Sequence, residues 1–399
     1  MSDLVPTIKQ IPECEPTTTS ASLLSTPPEQ THSQPSSTLS KRIIELDGLR
    51  AFAILPVLMI HNAPHEGPLA FFRPIFETGW IGVDLFFVLS GYLITGILLD
   101  TVRKPHCYRN FIVRRALRIL PLYYLCLALF TLEPYLLRDH SQWQALLHWG
   151  GPGWFALYVG NIRMATQAAL PPVGSFIPLW SLQVEEQFYL LYPLLVASCC
   201  LRRLRNLLIA CVVAAPLLRG LGMLLFPTNS VLCYVLMPCR MDALGMGGLI
   251  AVLMRDRGLP VSHSTLKRCL MAGASVCLGM FIFISHSEFH AFNRFIGYSI
   301  LDLTCAALLA VVIVCPPPLM TRVLRWSPLT YTGTIAYGLY LLHGSAAQLL
   351  RKALSVVWTV HPHTTANIPI AFIASFIAAG LSWRYFESTV LALKDRYTR

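Results

Sequence analysis

The sequence predicts an all-α fold, a polytopic membrane helix bundle of about ten transmembrane helices with one re-entrant or peripheral segment. Three observations carry that prediction. Of the 399 residues, 55% are hydrophobic and only 13% charged, about half the charged share of an ordinary soluble domain, and the mean hydropathy is +0.57. Apolar runs close to the ~20 residues that cross a bilayer recur along most of the chain. The 31 Lys and Arg, which against 20 Asp and Glu leave a formal net charge of +11, sit in short clusters between those runs rather than in one basic stripe, so no nucleic-acid partner is expected.

Residues 1–40 are rich in Ser, Thr and Pro and lack the apolar core of a signal peptide. They are expected to form an uncleaved, disordered cytoplasmic tail. A transmembrane domain follows at 41–390 and a short basic cytoplasmic tail at 391–399. The expected spans are 46–60, 80–99, 116–137, 184–200, 207–226, 231–254, 270–285, 297–315, 331–350 and 368–385. The stretch 145–160 is also apolar, but His148, Gly150, Gly151, Pro152 and Gly153 interrupt it. If it does not cross, Lys41, Arg42, Arg103, Lys104, Arg109, Arg114, Arg115, Arg202, Arg203, Arg205, Arg255 and Arg257 all fall on the cytoplasmic side; if it crosses, every later cluster inverts. The segment is therefore expected to be re-entrant or peripheral, the protein to lie in the cell membrane among its lipids, and both termini to be cytoplasmic. Cysteines such as Cys126, Cys199, Cys211 and Cys305 lie inside apolar runs without CxxC spacing and read as packing residues.

A charge at the centre of a membrane helix costs about 2.5–3.5 kcal/mol on insertion scales, so Arg50, Asp84, Arg240 and Asp242 need a partner or a polar cavity. Arg50 and His61 are eleven residues apart, which at about 100° per residue places them on one face of the first helix, about 16 Å apart along it. Two readings fit: both line a tunnel, or Arg50 snorkels to the surface and His61 caps the outer end. Pro56 between them can kink the helix. Arg115 and Arg118, stacked at i, i+3, form a fork suited to the phosphates of a nucleotide-bearing cofactor, although a positive-inside anchor has the same pattern. Glu185 and Glu186 enter an apolar helix after Ser181. They fit either a carboxylate beside a histidine or a first helical turn that favours the dipole. Arg240 and Asp242 compensate each other or line one polar cavity. His343 meets an acceptor near the outer end of its span or serves as a cap there. Ser90, beside Gly91, is a further site candidate or a close-packing residue.

These motifs resemble those of the acyltransferase-3 family over roughly 43–388. The resemblance rests on Leu46-Asp47-Gly48-Leu49-Arg50-Ala51 with His61, Gly82-Val83-Asp84 through Ser90-Gly91-Tyr92, Arg115 with Arg118, and Trp180-Ser181-Leu182 with Glu185-Glu186-Gln187-Phe188-Tyr189. Arg240-Met241-Asp242, Tyr337-Gly338-Leu339-Tyr340 with His343, and Ser382-Trp383-Arg384-Tyr385-Phe386-Glu387 complete it, in the family's order. The resemblance implies a membrane O-acyltransferase moving an acyl group, usually acetyl in this family, from cytoplasmic acyl-CoA to a hydroxyl of a glycan, glycolipid or small acceptor. It implies His61 as the catalytic residue; on that footing Arg115 and Arg118, joined by Arg50, are expected to clamp the phosphates of acyl-CoA and Glu185 to orient or tune His61, which either deprotonates the acceptor or carries the acyl group itself. Asp84, Ser90, Ser181, Arg240, Asp242 and His343 line the site, acyl-CoA is a co-substrate, and no metal is required. Two departures, Gly344-Ser345 after His343 and Ser388-Thr389 after Glu387, bear on acceptor shape. No appended hydrolase-like domain is expected, so the membrane domain and its outer loops would handle the acceptor. A transporter or flippase with a buried Arg/His/Glu pathway is the alternative; a haem or metal site on His61 and His65 is a third reading, disfavoured because Pro64 interrupts that helix face.

Overall fold

The computed structural model describes residues 43–256, 258–283, 287–355 and 364–393. The expected tail at 1–40 and most of that at 391–399, with Lys41, Arg42 and Arg257, lie outside the described residues. Within them the chain is helical, and the β pairing is one isolated bridge between Glu66 and Thr364. The principal helices are α1 (Ile44–Ile60), α2 (Ile81–Thr101), α3 (Cys107–Leu136), α4 (Leu179–Ser198), α5 (Leu201–Leu225), α6 (Met237–Asp256), α7 (His263–Phe283), α8 (Tyr298–Val314), α9 (Ser327–Thr334), α10 (Ala336–Leu354) and α11 (Asn367–Ser382).

Each of the ten expected spans is helical where it is described, but only six helices among the described residues are long and apolar enough to cross a bilayer by length and composition. These are Ala70–Thr101, Cys107–Leu136, Leu201–Leu225, Leu232–Asp256, Asn293–Val314 and Asn367–Ala392. α1 stops after 17 residues, α4 carries Glu185 and Glu186, and the expected span 331–350 is broken at Ile335 into α9 and α10. The stretch 145–160 falls in three short helices, His140–Trp149, Gly153–Ala156 and Gly160–Gln167. Gly150 and Gly151, at φ of 123° and 76°, break the first from the second, in a backbone region that other residues rarely adopt. The third turns back onto α4, where Gln183 Oε1 accepts from the Asn161 amide at 2.6 Å and Gln187 donates to the Tyr158 carbonyl at 3.0 Å. No piece approaches the length of a span.

α2 is the centre of the bundle, and it packs on α1, α6 and α8. Gly91 of α2 sits against the Leu244 carbonyl of α6, and Gly247 of α6 against the Val88 carbonyl of α2; a Cβ at either would collide with backbone. Small residues at a membrane helix crossing allow this close approach, which is where dispersion can hold helices together when both are already in lipid.

The same region buries a network of charge. Arg219 of α5 donates from both terminal nitrogens to Asp242 of α6 at 2.9 Å, and Ser299 of α8 donates to the same carboxylate at 2.7 Å. Arg240 of α6 pairs with Asp84 of α2, and its guanidinium lies 4.2 Å from the Tyr298 ring centroid. All four charged side chains are fully buried. The sequence expectation is corrected here on two counts. Arg240 and Asp242 do not compensate each other, because two positions apart on one helix they point to different neighbours. Asp84, Arg240 and Asp242 line neither of the two cavities found among the described residues; with Arg219 and Ser299 they tie four helices together.

Candidate active site

Two cavities among the described residues hold part of the expected site: Arg50, Ser90, Arg115, Arg118, Ser181 and Glu185 line the first and His61 the second, while Asp84, Arg240, Asp242 and His343 line neither. The first, about 880 Å³ with its mouth, is lined by Arg50 of α1, Ser90 of α2, Arg115 and Arg118 of α3, Glu185 of α4 and Tyr340 of α10. The hydroxyls of Ser181, Tyr189, Thr334 and Tyr337 also belong to its wall, beside the apolar side chains of Phe86, Phe87, Leu89 and Leu182. Three guanidinium groups face one carboxylate there, so the lining is net positive and draws anions. Arg50 is tied to Asp47 at 2.6 Å. Arg115 lies over the rings of Phe111 and Tyr189, at 5.8 and 5.3 Å from their centroids. Arg118, one helical turn further along α3, is exposed while Arg115 is half-buried, so two guanidinium forks belong to one lining.

Glu185 accepts from Ser90 Oγ at 2.7 Å and from Tyr189 Oη at 2.9 Å. These hydroxyls anchor it in the arginine-lined cavity, and the expectation that it tunes His61 is corrected: it sits beside Arg115 and the two do not meet. The signal for this lay in the sequence, since Glu185 and Tyr189 are i, i+4 on one helix face.

The second cavity, about 700 Å³ with its mouth, is lined by Ile60, His61, His65, Glu77, Glu288 and Phe289, among others. It shares no lining residue with the first, so Arg50 and His61 line different cavities. α10 runs between them, and its side chains close the gap. On the side of the arginine-lined cavity, Tyr340 Oη and Ser181 Oγ lie 2.5 Å apart, and both are within 3.2 Å of the Pro178 carbonyl. On the other side the His343 ring meets that of His61 edge to face, with centroids 4.7 Å apart. His343 is 1% exposed, in the interior of α10 and not at its outer end as expected.

Both imidazoles are held in the same way. His61 Nδ1 lies 2.8 Å from the Val57 carbonyl, and His343 Nδ1 lies 2.9 Å from that of Tyr340. A carbonyl only accepts, so each Nδ1 carries a proton, and in the neutral ring each Nε2 keeps its lone pair. His61 is exposed into its cavity. His343 Nε2 is buried without a hydrogen-bond partner, a cost structures retain where the group is used. The neighbouring Asn62 is clamped by the Leu58 carbonyl at 2.8 Å and by Asn367 at 3.2 Å, which fixes the end of α1. Among the described residues no group of three or more His, Cys, Asp or Glu is placed to hold a metal ion.

Comparison with known proteins follows the same outline. A family model described as an acyltransferase domain matches residues 43–384. Peptidoglycan O-acetyltransferase OatA of Listeria monocytogenes is 29% identical over 374 residues, covering 88% of this chain and 56% of that protein. O-acetyltransferase OatA of Staphylococcus aureus is 27% identical over 367 residues, covering 86% and 56%. The chain thus spans little more than half the length of these relatives. No solved structure is similar to it at a meaningful level.

Proposed function

The chain belongs to the acyltransferase family whose model its residues 43–384 match, and from that premise we propose that it moves an acetyl group from acyl-CoA, entering from the cytoplasm, to a hydroxyl of a glycan on the other side of the bundle. The observation that carries this reading is the layer of Ser181, Tyr340, His343 and His61 between an arginine-lined cavity and an open one. Acyl transfer to an alcohol needs a clamp for the donor, a base for the hydroxyl proton and donors for the oxyanion of the tetrahedral intermediate. Arg115 and Arg118, with Arg50 behind them, take the phosphates of acyl-CoA. The thioester then ends against Ser181 and Tyr340, whose hydroxyls turn from each other to the carbonyl oxygen. The Tyr340–His343 layer parts to join the two cavities, and the acceptor hydroxyl enters from the opposite one and gives its proton to His61 Nε2. The ester C–O bond forms, the thioester C–S bond breaks, and the proton passes to the departing sulfur. His343 holds the His61 ring at its working angle and shields it from lipid.

Support comes from the chemistry of each wall and from the names of the relatives; a transporter has no need of two fixed imidazole lone pairs beside paired hydroxyls. The test is product formation. Purified full-length protein in detergent is given radiolabelled acetyl-CoA and an added glycan. Label in the glycan with equal release of CoA supports the reading, and glycan movement across vesicles without acetylation removes it.

A further inference from the structure

The arginine-lined cavity ends in a wall that phosphate binding does not require. Its lining on α2 runs from Leu93 to Val83, ten residues and about 15 Å of helix. Exposure falls along the cavity: Arg118 is exposed, whereas Val83, Phe87, Ser181 and Tyr340 are buried. The paired hydroxyls of Ser181 and Tyr340 therefore stand at its buried end. Around them the wall is apolar. The Phe86 ring, half-buried, meets that of Tyr340 edge to face with centroids 6.3 Å apart, and Val83 lies one helical turn away on the same face of α2. Behind them Phe87 packs against Trp180 at 5.9 Å. The Arg240 guanidinium lies 5.8 Å from the Phe87 ring and 6.0 Å from that of Trp180, and it is itself held by Asp84. These rings can retreat only by displacing a fully buried ion pair, whose separation is costly. A wall that cannot retreat discriminates by length. Methylenes forced into a filled core bring strain, and one methylene in an apolar pocket is worth about ten- to two-hundredfold in specificity.

We propose that Val83, Phe86 and Phe87 form an acyl stop beside Ser181 and Tyr340, which fits the methyl of an acetyl thioester and excludes chains of four carbons or more. Phe86 is the specificity-determining residue, because its ring faces the cavity next to Tyr340 while Phe87 backs it. The inference rests on the reading of this cavity as the acyl-CoA site and goes beyond it by fixing the length of the acyl group. It also gives the buried pair of Arg240 and Asp84 a function, that of holding the stop in place.

The test uses the purified full chain in detergent and two donors, acetyl-CoA and butyryl-CoA. Binding of each is read by calorimetry without an acceptor, and transfer to an added glycan is read separately by mass spectrometry. Acetyl-CoA is expected to exceed butyryl-CoA at least tenfold in affinity and at least tenfold in kcat/KM. Phe86→Ala should reduce both ratios at least tenfold, and it should do so by raising butyryl binding and transfer above those of the parent, a gain that mere loss of structure does not produce. Val83→Ala, which opens the same end with a smaller loss of packing, carries the same comparison if Phe86→Ala does not fold. Equal affinity or equal turnover of the two donors in the parent, or no gain with butyryl-CoA in the folded variant, overturns the assignment. Length-selective binding that responds to Phe86→Ala without any transfer to glycan leaves the stop standing and removes the acyltransferase reading. Transfer of acetyl and butyryl groups at equal rates does the reverse.

Discussion

His61 and His343 meet edge to face at 4.7 Å, one open to a cavity and the other buried, and each gives its Nδ1 proton to a carbonyl of its own helix. The pair joins α1 to α10, whose residues lie almost three hundred positions apart in the chain. A ring packed in this way has one orientation, and its Nε2 points where the helices direct it. In the proposed mechanism His343 acts through His61. His343→Phe, which keeps a ring against His61 and removes the nitrogens, should lower kcat about 10²-fold, at the low end of acid–base contributions. The KM for acyl-CoA should stay within twofold. A matching rise in KM would show that His343 serves donor binding instead, and steady-state kinetics on the detergent-purified variant distinguishes the two.

Arg115 and Arg118 both line the arginine-lined cavity. A charge-assisted hydrogen bond contributes about 1.5–3 kcal/mol, and each 1.4 kcal/mol is tenfold in affinity. Arg115→Ala and Arg118→Ala should each weaken acyl-CoA binding about ten- to a hundredfold while maximal turnover at saturating donor changes little. Calorimetric titration with CoA checks this directly, and unaltered affinity in both variants would leave these arginines as membrane anchors.

Tyr340 and Ser181 hold their hydroxyls 2.5 Å apart at the end of that cavity. If they stabilise the oxyanion, Tyr340→Phe removes one donor and should cost about 10²–10³ in kcat, the range seen when a single oxyanion donor is lost. Ser181→Ala should behave in the same way. A Tyr340→Phe protein turning over at the wild-type rate assigns the hydroxyl to packing.

The buried pair Arg219 and Asp242 is fully excluded from solvent. Removing one member leaves an uncompensated charge, which costs about 3–5 kcal/mol, whereas replacing both with apolar residues of like volume is close to neutral. Asp242→Ala should sharply lower the melting temperature and yield of folded protein, and Arg219→Met with Asp242→Leu should recover much of it. Equal stability of the single variant and the parent would show that water reaches the pair.

Much of the architecture was legible because lipid imposes a simple demand. Apolar length marks helices, and the glycines and proline in 145–160 mark the break that appears at Gly150 and Gly151. The count of ten spans was not recoverable in the same way, since α1 and α4 trade apolar length for the polar residues of the site. Charge within an apolar run pointed to Arg50, Asp84, Arg240 and Asp242, and the same signal marks Arg219 and Asp302, which the sequence reading passed over. It could not say who pairs with whom. Arg240 reaches Asp84 on α2 and Asp242 reaches Arg219 on α5 through helix rotations that no local pattern encodes. Helical periodicity placed Arg50 and His61 on one face, but α10, which arrives from far along the chain, separates their cavities. Tyr340 was visible as part of a motif; its place opposite Ser181 was not.

The central claim is that the open imidazole on α1 takes the acceptor proton during acetyl transfer. The most direct measurement is label transfer from radiolabelled acetyl-CoA to a glycan by purified wild-type protein and by His61→Ala, with CoA binding and melting temperature measured on both. The account predicts that His61→Ala binds CoA and melts like the parent yet transfers at least 10²-fold more slowly. Transfer at the wild-type rate by the His61→Ala protein would contradict it.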